Sequence, residues 1–227
     1  MKKFTLSLLT GVAVLGFAST GFAADLIIEE PAEVGVVDVG GSWDGAFIGG
    51  FIGAGWGLAD HEPAGGGVGN DVDLSGWILG LDAGFNATVG SGIVLGIVGD
   101  VAWSNLSGTN EDPPINFDEV SQDIDWMASL RGRVGFDGGA FLPYLTAGLA
   151  VAHSNRETVG FASEFDNTHI GWTVGAGVEF AVSEDLSIDL LYRYSDYGSE
   201  VYNPSPATVP EVSLTTHTIQ AGLHWNF

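Results

Sequence analysis

The amino-acid sequence predicts an all-β chain: an eight-stranded antiparallel up-and-down transmembrane β-barrel. Three observations carry that prediction. From Trp43 to the end, segments of about 12 to 16 residues alternate apolar with small or polar side chains, the period of a strand. Their connections alternate between short and long, as in a barrel with tight turns at one mouth and loops at the other. The aromatic residues of the apolar face fall at two depths, a sorting that a water-soluble core has no reason to impose.

The elements follow in chain order. Lys2 and Lys3 precede an apolar stretch from Phe4 to Ala18 and the run Gly21-Phe22-Ala23, the charged, apolar and cleavage regions of a secretory signal peptide. Residues 1–23 are therefore expected to be cleaved. A spanning helix would need about 20 apolar residues, and this run ends sooner, at Ser19, Thr20 and Gly21. Residues 24–42 mix Asp and Glu with Val, Ile and Pro31 at no sustained period and read as an N-terminal linker ahead of a barrel over 43–227. Within the barrel the alternation predicts strands over 44–58, 75–88, 93–105, 123–136, 141–153, 168–182, 186–197 and 213–227. Val89-Gly90-Ser91-Gly92, Asp137-Gly138-Gly139-Ala140 and Ser183-Glu184-Asp185 are hairpin-sized. The connections 59–74, 106–122, 154–167 and 198–212 are long.

The alternation is sharpest where Trp77, Leu79, Leu81, Ala83 and Phe85 share one face, opposite Ile78, Gly80, Asp82, Gly84 and Asn86. A soluble barrel fills its interior with apolar side chains and turns polar ones outward, so alternation alone leaves the choice of solvent open. The rings settle it. At the long-loop ends the oily face carries Trp56, Trp77, Trp103, Trp126, Trp172 and Tyr194; at the other ends it carries Phe85, Phe136, Phe180, Trp225 and Phe227. Amphipathic rings favour the two membrane interfaces. Trp77 to Phe85 and Trp126 to Phe136 are 8 and 10 residues apart, about 27 to 33 Å of strand, which a tilt of about 40° reduces to the height of an apolar band.

Composition excludes other classes. There is no Cys, hence no disulfide framework, thiolate metal site or Cys nucleophile. After cleavage four arginines face 29 acidic residues, a net charge of −25, which would repel nucleic acid. Glycine, 35 of 227 residues, is about twice its usual ~7% share and argues against a helical bundle.

The face opposite the oily one carries Asp82, Asp100, Asp125, Arg131, Arg133, Glu179, Asp189 and Arg193. An eight-strand barrel has room inside only for side chains, and buried polar groups need partners. These eight residues are therefore expected to form an interior ion-pair network that plugs the barrel; a conduction path lined by the same charges is the alternative.

The stretches WDGAFIGGFIGAGWG from Trp43, GIVLGIVGDVAWS from Gly92, RGRVGF from Arg131, LPYLTAGLA from Leu142, GWTVGAGVEF from Gly171 and QAGLHWNF from Gln220, taken in order, resemble the small porin-like outer-membrane β-barrel proteins of alphaproteobacteria, distant relatives of the OmpA-type eight-strand barrel. The resemblance implies an outer-membrane location, a periplasmic linker and termini, and outward loops. It also implies that Leu223, Trp225 and Phe227 form the signal read by the barrel-assembly machinery. The chain departs from the family in carrying Val98 where an acidic residue is common and in having no Lys beyond position 3.

Other motifs carry less. Gly49 to Gly57 could suggest a phosphate-cradling loop, but no helical period follows it, and small residues lining a tight barrel explain it. Of His61, His153, His169, His217 and His224, His153 beside Ser154 comes nearest to a nucleophile arrangement, and neighbours on a strand point to opposite faces. No catalytic set, metal site or cofactor is expected. The loops are rich in acids, such as Asp60, Glu62, Asp71 and Asp73 in the first, without the spacing of a calcium loop. The expected role is that of a monomeric surface protein supporting envelope integrity, in contact with outer-membrane lipid and lipopolysaccharide. A narrow pore, and ligand binding or adhesion through the loops, are the alternatives.

Overall fold

A computed structural model describes residues 43–62, 70–109, 120–158, 164–201 and 211–227. The expected signal peptide, the whole linker and the tips of the four long loops lie outside these residues. The strands are β1 (Gly45–Glu62), β2 (Asn70–Val89), β3 (Ile93–Thr109), β4 (Val120–Phe136), β5 (Phe141–Thr158), β6 (Glu164–Ala181), β7 (Leu186–Val201) and β8 (Glu211–Asn226). Each pairs antiparallel with its sequence neighbours, and β8 returns to β1, closing an up-and-down barrel.

The turn ends of the strands fall where the sequence expects them, while the loop ends run two to five residues further. The ladder continues past the outer aromatic ring, but beyond it neither face meets hydrocarbon. The apolar/polar period that reveals a strand therefore fades before the hydrogen bonding does.

Closure depends on a close approach at the seam. Phe227 N donates to the Ala46 carbonyl at 2.9 Å, and a Cβ on Gly45, whose φ is 122°, would lie 2.4 Å from the Phe227 carbonyl oxygen. Only glycine accepts both that dihedral and that contact. Trp43, just before β1, reaches across the turn-end mouth. Its indole is buried with Val94 of β3 and Leu142 of β5, and its Nε1 donates to the Gly139 carbonyl at 3.2 Å.

Outward side chains form a continuous apolar band, with Ile52, Leu81, Leu130, Leu145 and Ile219 all more than half exposed. Both aromatic sets lie on this wall. Trp56, Trp77, Trp103, Trp172, Phe85, Phe136, Phe180, Trp225 and Phe227 are exposed, while Trp126 and Tyr194 are partly covered. Inside, side chains stack in layers from the Trp43 mouth upward: first a charged layer, then an apolar one. The apolar layer packs Phe51, Leu74, Ile78, Leu106, Ile124, Met127, Tyr197 and Leu214. The expected ion-pair network thus occupies one layer of the interior, and this apolar layer stands beside it.

Candidate functional site: the charged interior

The charged layer has two neighbouring clusters. In the upper one Asp100, on β3, receives two guanidinium groups: Arg131 Nη2 on Oδ2 at 3.1 Å and Arg193 Nη1 on Oδ1 at 2.9 Å. Ser129 Oγ donates to the same carboxylate and accepts from Arg131 Nε at 2.9 Å. Asp100 and Ser129 are register partners on β3 and β4, and the Arg131 side chain comes from two residues along β4. Arg193 reaches in from β7 on another side of the barrel, so one carboxylate ties three strands together.

The lower cluster is built on Glu179. Its Oε2 accepts from Arg133 Nη2 at 2.8 Å; its Oε1 accepts from Ser187 Oγ at 2.5 Å and faces His224 Nδ1 at 3.1 Å. His224 Nε2 in turn lies 3.1 Å from Asp82 Oδ2. Tyr144 donates to Asp189 Oδ1 at 2.7 Å, and the Arg133 guanidinium stacks over the Tyr144 ring, 4.0 Å from its centroid. A cation over an aromatic face is attracted by the ring quadrupole. Two glycines leave the room: a Cβ at position 49 would stand 2.2 Å from His224 Cδ2, and one at 177 would stand 2.5 Å from Tyr144 Cζ.

Seven of the eight expected interior residues thus meet in one layer: Asp82, Asp100, Arg131, Arg133, Glu179, Asp189 and Arg193. Asp125 does not. The β4–β5 register shifts between Ile124 and Trp126, and the extra residue of this bulge carries Asp125 to the exposed outer face, where its carboxylate accepts from Asn155. An inserted residue reverses the in–out parity beyond it, so Ile124 takes the interior position. Asp125→Ala is accordingly expected to shift unfolding stability by no more than about 0.5 kcal/mol, the usual range for a surface substitution, read by urea titration of the folded barrel.

His224, Tyr144, Ser129 and Ser187 are members that the sequence reading did not single out. The signal was present in the alternation, which sets Ser129 on the face of Arg131 and Arg133. Leu223 and Trp225 point outward, as do Leu145 and Ala147, so His224 and Tyr144 must point inward. His153 and Ser154 stand on opposite faces, Ser154 buried and His153 stacked on Trp126 at 5.7 Å. Gly49 to Gly57 lie within the continuous strand β1. Among the described residues no group of three or more His, Asp or Glu side chains could hold a metal ion.

A closed eight-strand wall, oily outside and ion-paired within, is the geometry of a small outer-membrane barrel, and the family comparison agrees. The model of the outer membrane protein beta-barrel domain matches residues 10–227. The chain belongs to this family. It is 32% identical, over the whole of both chains, to the 25 kDa outer-membrane immunogenic protein of Brucella abortus. It is 34% identical to the 22 kDa outer membrane protein of Rhizobium leguminosarum bv. viciae, over 76% of this chain and 72% of the relative. Among solved structures, the outer membrane protein OprG of Pseudomonas aeruginosa superposes with a TM-score of 0.56 at 16% identity, covering 84% of this chain and 99% of that one, a likeness of fold. This outer-membrane barrel therefore joins relatives named for their location and antigenicity, and its charged layer lies within the membrane-spanning wall.

Proposed function

We propose that this outer-membrane barrel is a closed structural element of the envelope, non-enzymatic and non-conducting at rest, exported through a cleaved signal peptide and set with its four acidic loops toward the outside. The observation that carries this reading is the filled interior. Trp43 covers the turn-end mouth, two ion-pair clusters span the middle, and a packed apolar layer follows toward the loops. An aqueous path needs a continuous polar channel, and the apolar layer interrupts it. Outer-membrane lipid and lipopolysaccharide are the partners of the wall. The strand that ends in Leu223, Trp225 and Phe227 is the segment offered to the barrel-assembly machinery.

Planar-bilayer recording of the refolded protein tests this, with heat-modifiable gel mobility as the check of folding. The expected result is a folded barrel with no stable openings. Stable openings whose size changes with Arg131→Ala or Asp189→Asn would overturn the proposal and make the charged layer the lining of a narrow pore.

A further inference from the structure

Two apolar grooves of nearly equal size lie on the described part of the lipid-facing wall, and one of them adjoins a polar ring cluster. The first, about 670 Å³, crosses β4 to β7, with the small residues Gly132, Ala147 and Ala176 set between Val134, Leu145 and Tyr192. The second, about 680 Å³, runs from Ile188 of β7 across β8, β1 and β2 to Trp103 of β3, with Gly50 and Ala221 set between Leu81 and Leu223.

At its loop end the first groove includes Tyr192 and Tyr194, which also pack on His217. Tyr194, His217 and Trp56 are successive register partners across β7, β8 and β1. Trp56 lies flat on the imidazole, 5.5 Å away at 4°; the Tyr194 ring is 5.0 Å from it, and Trp172 packs on Tyr194 at 5.5 Å. Tyr192 Oη and His217 Nδ1 are 2.8 Å apart. When the hydroxyl donates to Nδ1, the ring proton sits on Nε2, which has no protein partner among the described residues. Arg131, Arg133 and Arg193 are all turned inward. Among the described side chains, an anionic headgroup at this part of the wall therefore meets imidazole and phenol.

We propose that the Gly132–Ala147–Ala176 groove and its ring cluster form a site for one phosphorylated, acylated glycolipid of the outer leaflet. An acyl chain fills the furrow and a phosphate oxygen accepts from His217 Nε2. The site rests on the loop end facing outward, as in the proposed function; it does not depend on whether the interior conducts, so silence or current in the bilayer leaves it open to its own test.

That test is native mass spectrometry of the full barrel released from nanodiscs containing phospholipid and bis-phosphorylated lipid A. The wild type is expected to retain one lipid A. His217→Ala should lower retention about tenfold, the equivalent of one hydrogen bond to a charged group, and His217→Gln, which keeps a donor, should restore most of it. Ala176→Leu, or Ala147→Leu if the first folds poorly, fills the furrow and should abolish retention, whereas Ala221→Leu in the second groove should leave it unchanged. Equal loss with Ala221→Leu, equal retention of dephosphorylated lipid A, preferential retention of phospholipid, or no retained lipid in the wild type would each overturn the proposal.

Discussion

Asp100→Ala is expected to cost this barrel about 3 to 5 kcal/mol of unfolding free energy, the penalty for removing one member of a buried ion pair. The size follows from what is left behind. Arg131 and Arg193 both bond to this carboxylate, at 3.1 and 2.9 Å, and both side chains are almost fully buried. Without it, two guanidinium groups share Ser129 Oγ as their remaining side-chain acceptor. Asp100→Asn keeps an acceptor and should cost less. The double variant Asp100→Ala/Arg131→Ala should cost less than the sum of the two single changes, because the pair shares its penalty. Urea unfolding in detergent, followed by gel mobility and by tryptophan emission, measures all three. Additive losses would mean that the ion pair does not act as a unit.

Leu106→Ala is expected to cost about 2 to 5 kcal/mol, the range for a large-to-small change in a packed core, and Leu145→Ala much less. The residue type is the same and the surroundings differ. Leu106 is fully buried in the interior apolar layer, where a lost side chain leaves a cavity. Leu145 is 61% exposed on the outer wall, where lipid tails are as apolar as leucine and flow into the space. Parallel unfolding titrations in the same lipid compare them; equal costs would show that the upper interior is not close-packed.

Most of the wall was legible in the residues because two solvents meet across it. Hydrocarbon outside and a crowded lumen inside hold Trp77, Leu79 and Leu81 to one face and Gly80 and Asp82 to the other, so eight strands and seven of eight interior charges follow from parity. Parity fails where the backbone inserts a residue, and the bulge at Asp125 leaves no compositional mark. It also identifies which side chains face inward without saying what they meet. Leu106, Ile124 and Met127 assemble into a layer only through register between strands far apart in the sequence. Trp43 was hidden for a different reason: it precedes the first strand, where alternation has nothing to say about direction.

The seam between β1 and β8 sets the order of events during folding. Seven of the eight strand pairings join consecutive segments, each hairpin closing over a short stretch. The eighth joins Phe47 to Asn226 and Glu62 to Glu211, strands from opposite ends of the barrel sequence, and completes the wall only when both are in place. Until then β1 and β8 are two open edges with unpaired backbone groups, a state that invites pairing with other chains and that hydrocarbon does not tolerate. Loss of the last strand would therefore not yield a barrel seven-eighths complete; it would leave an open ribbon, prone to aggregation and unable to enter the bilayer as a stable wall.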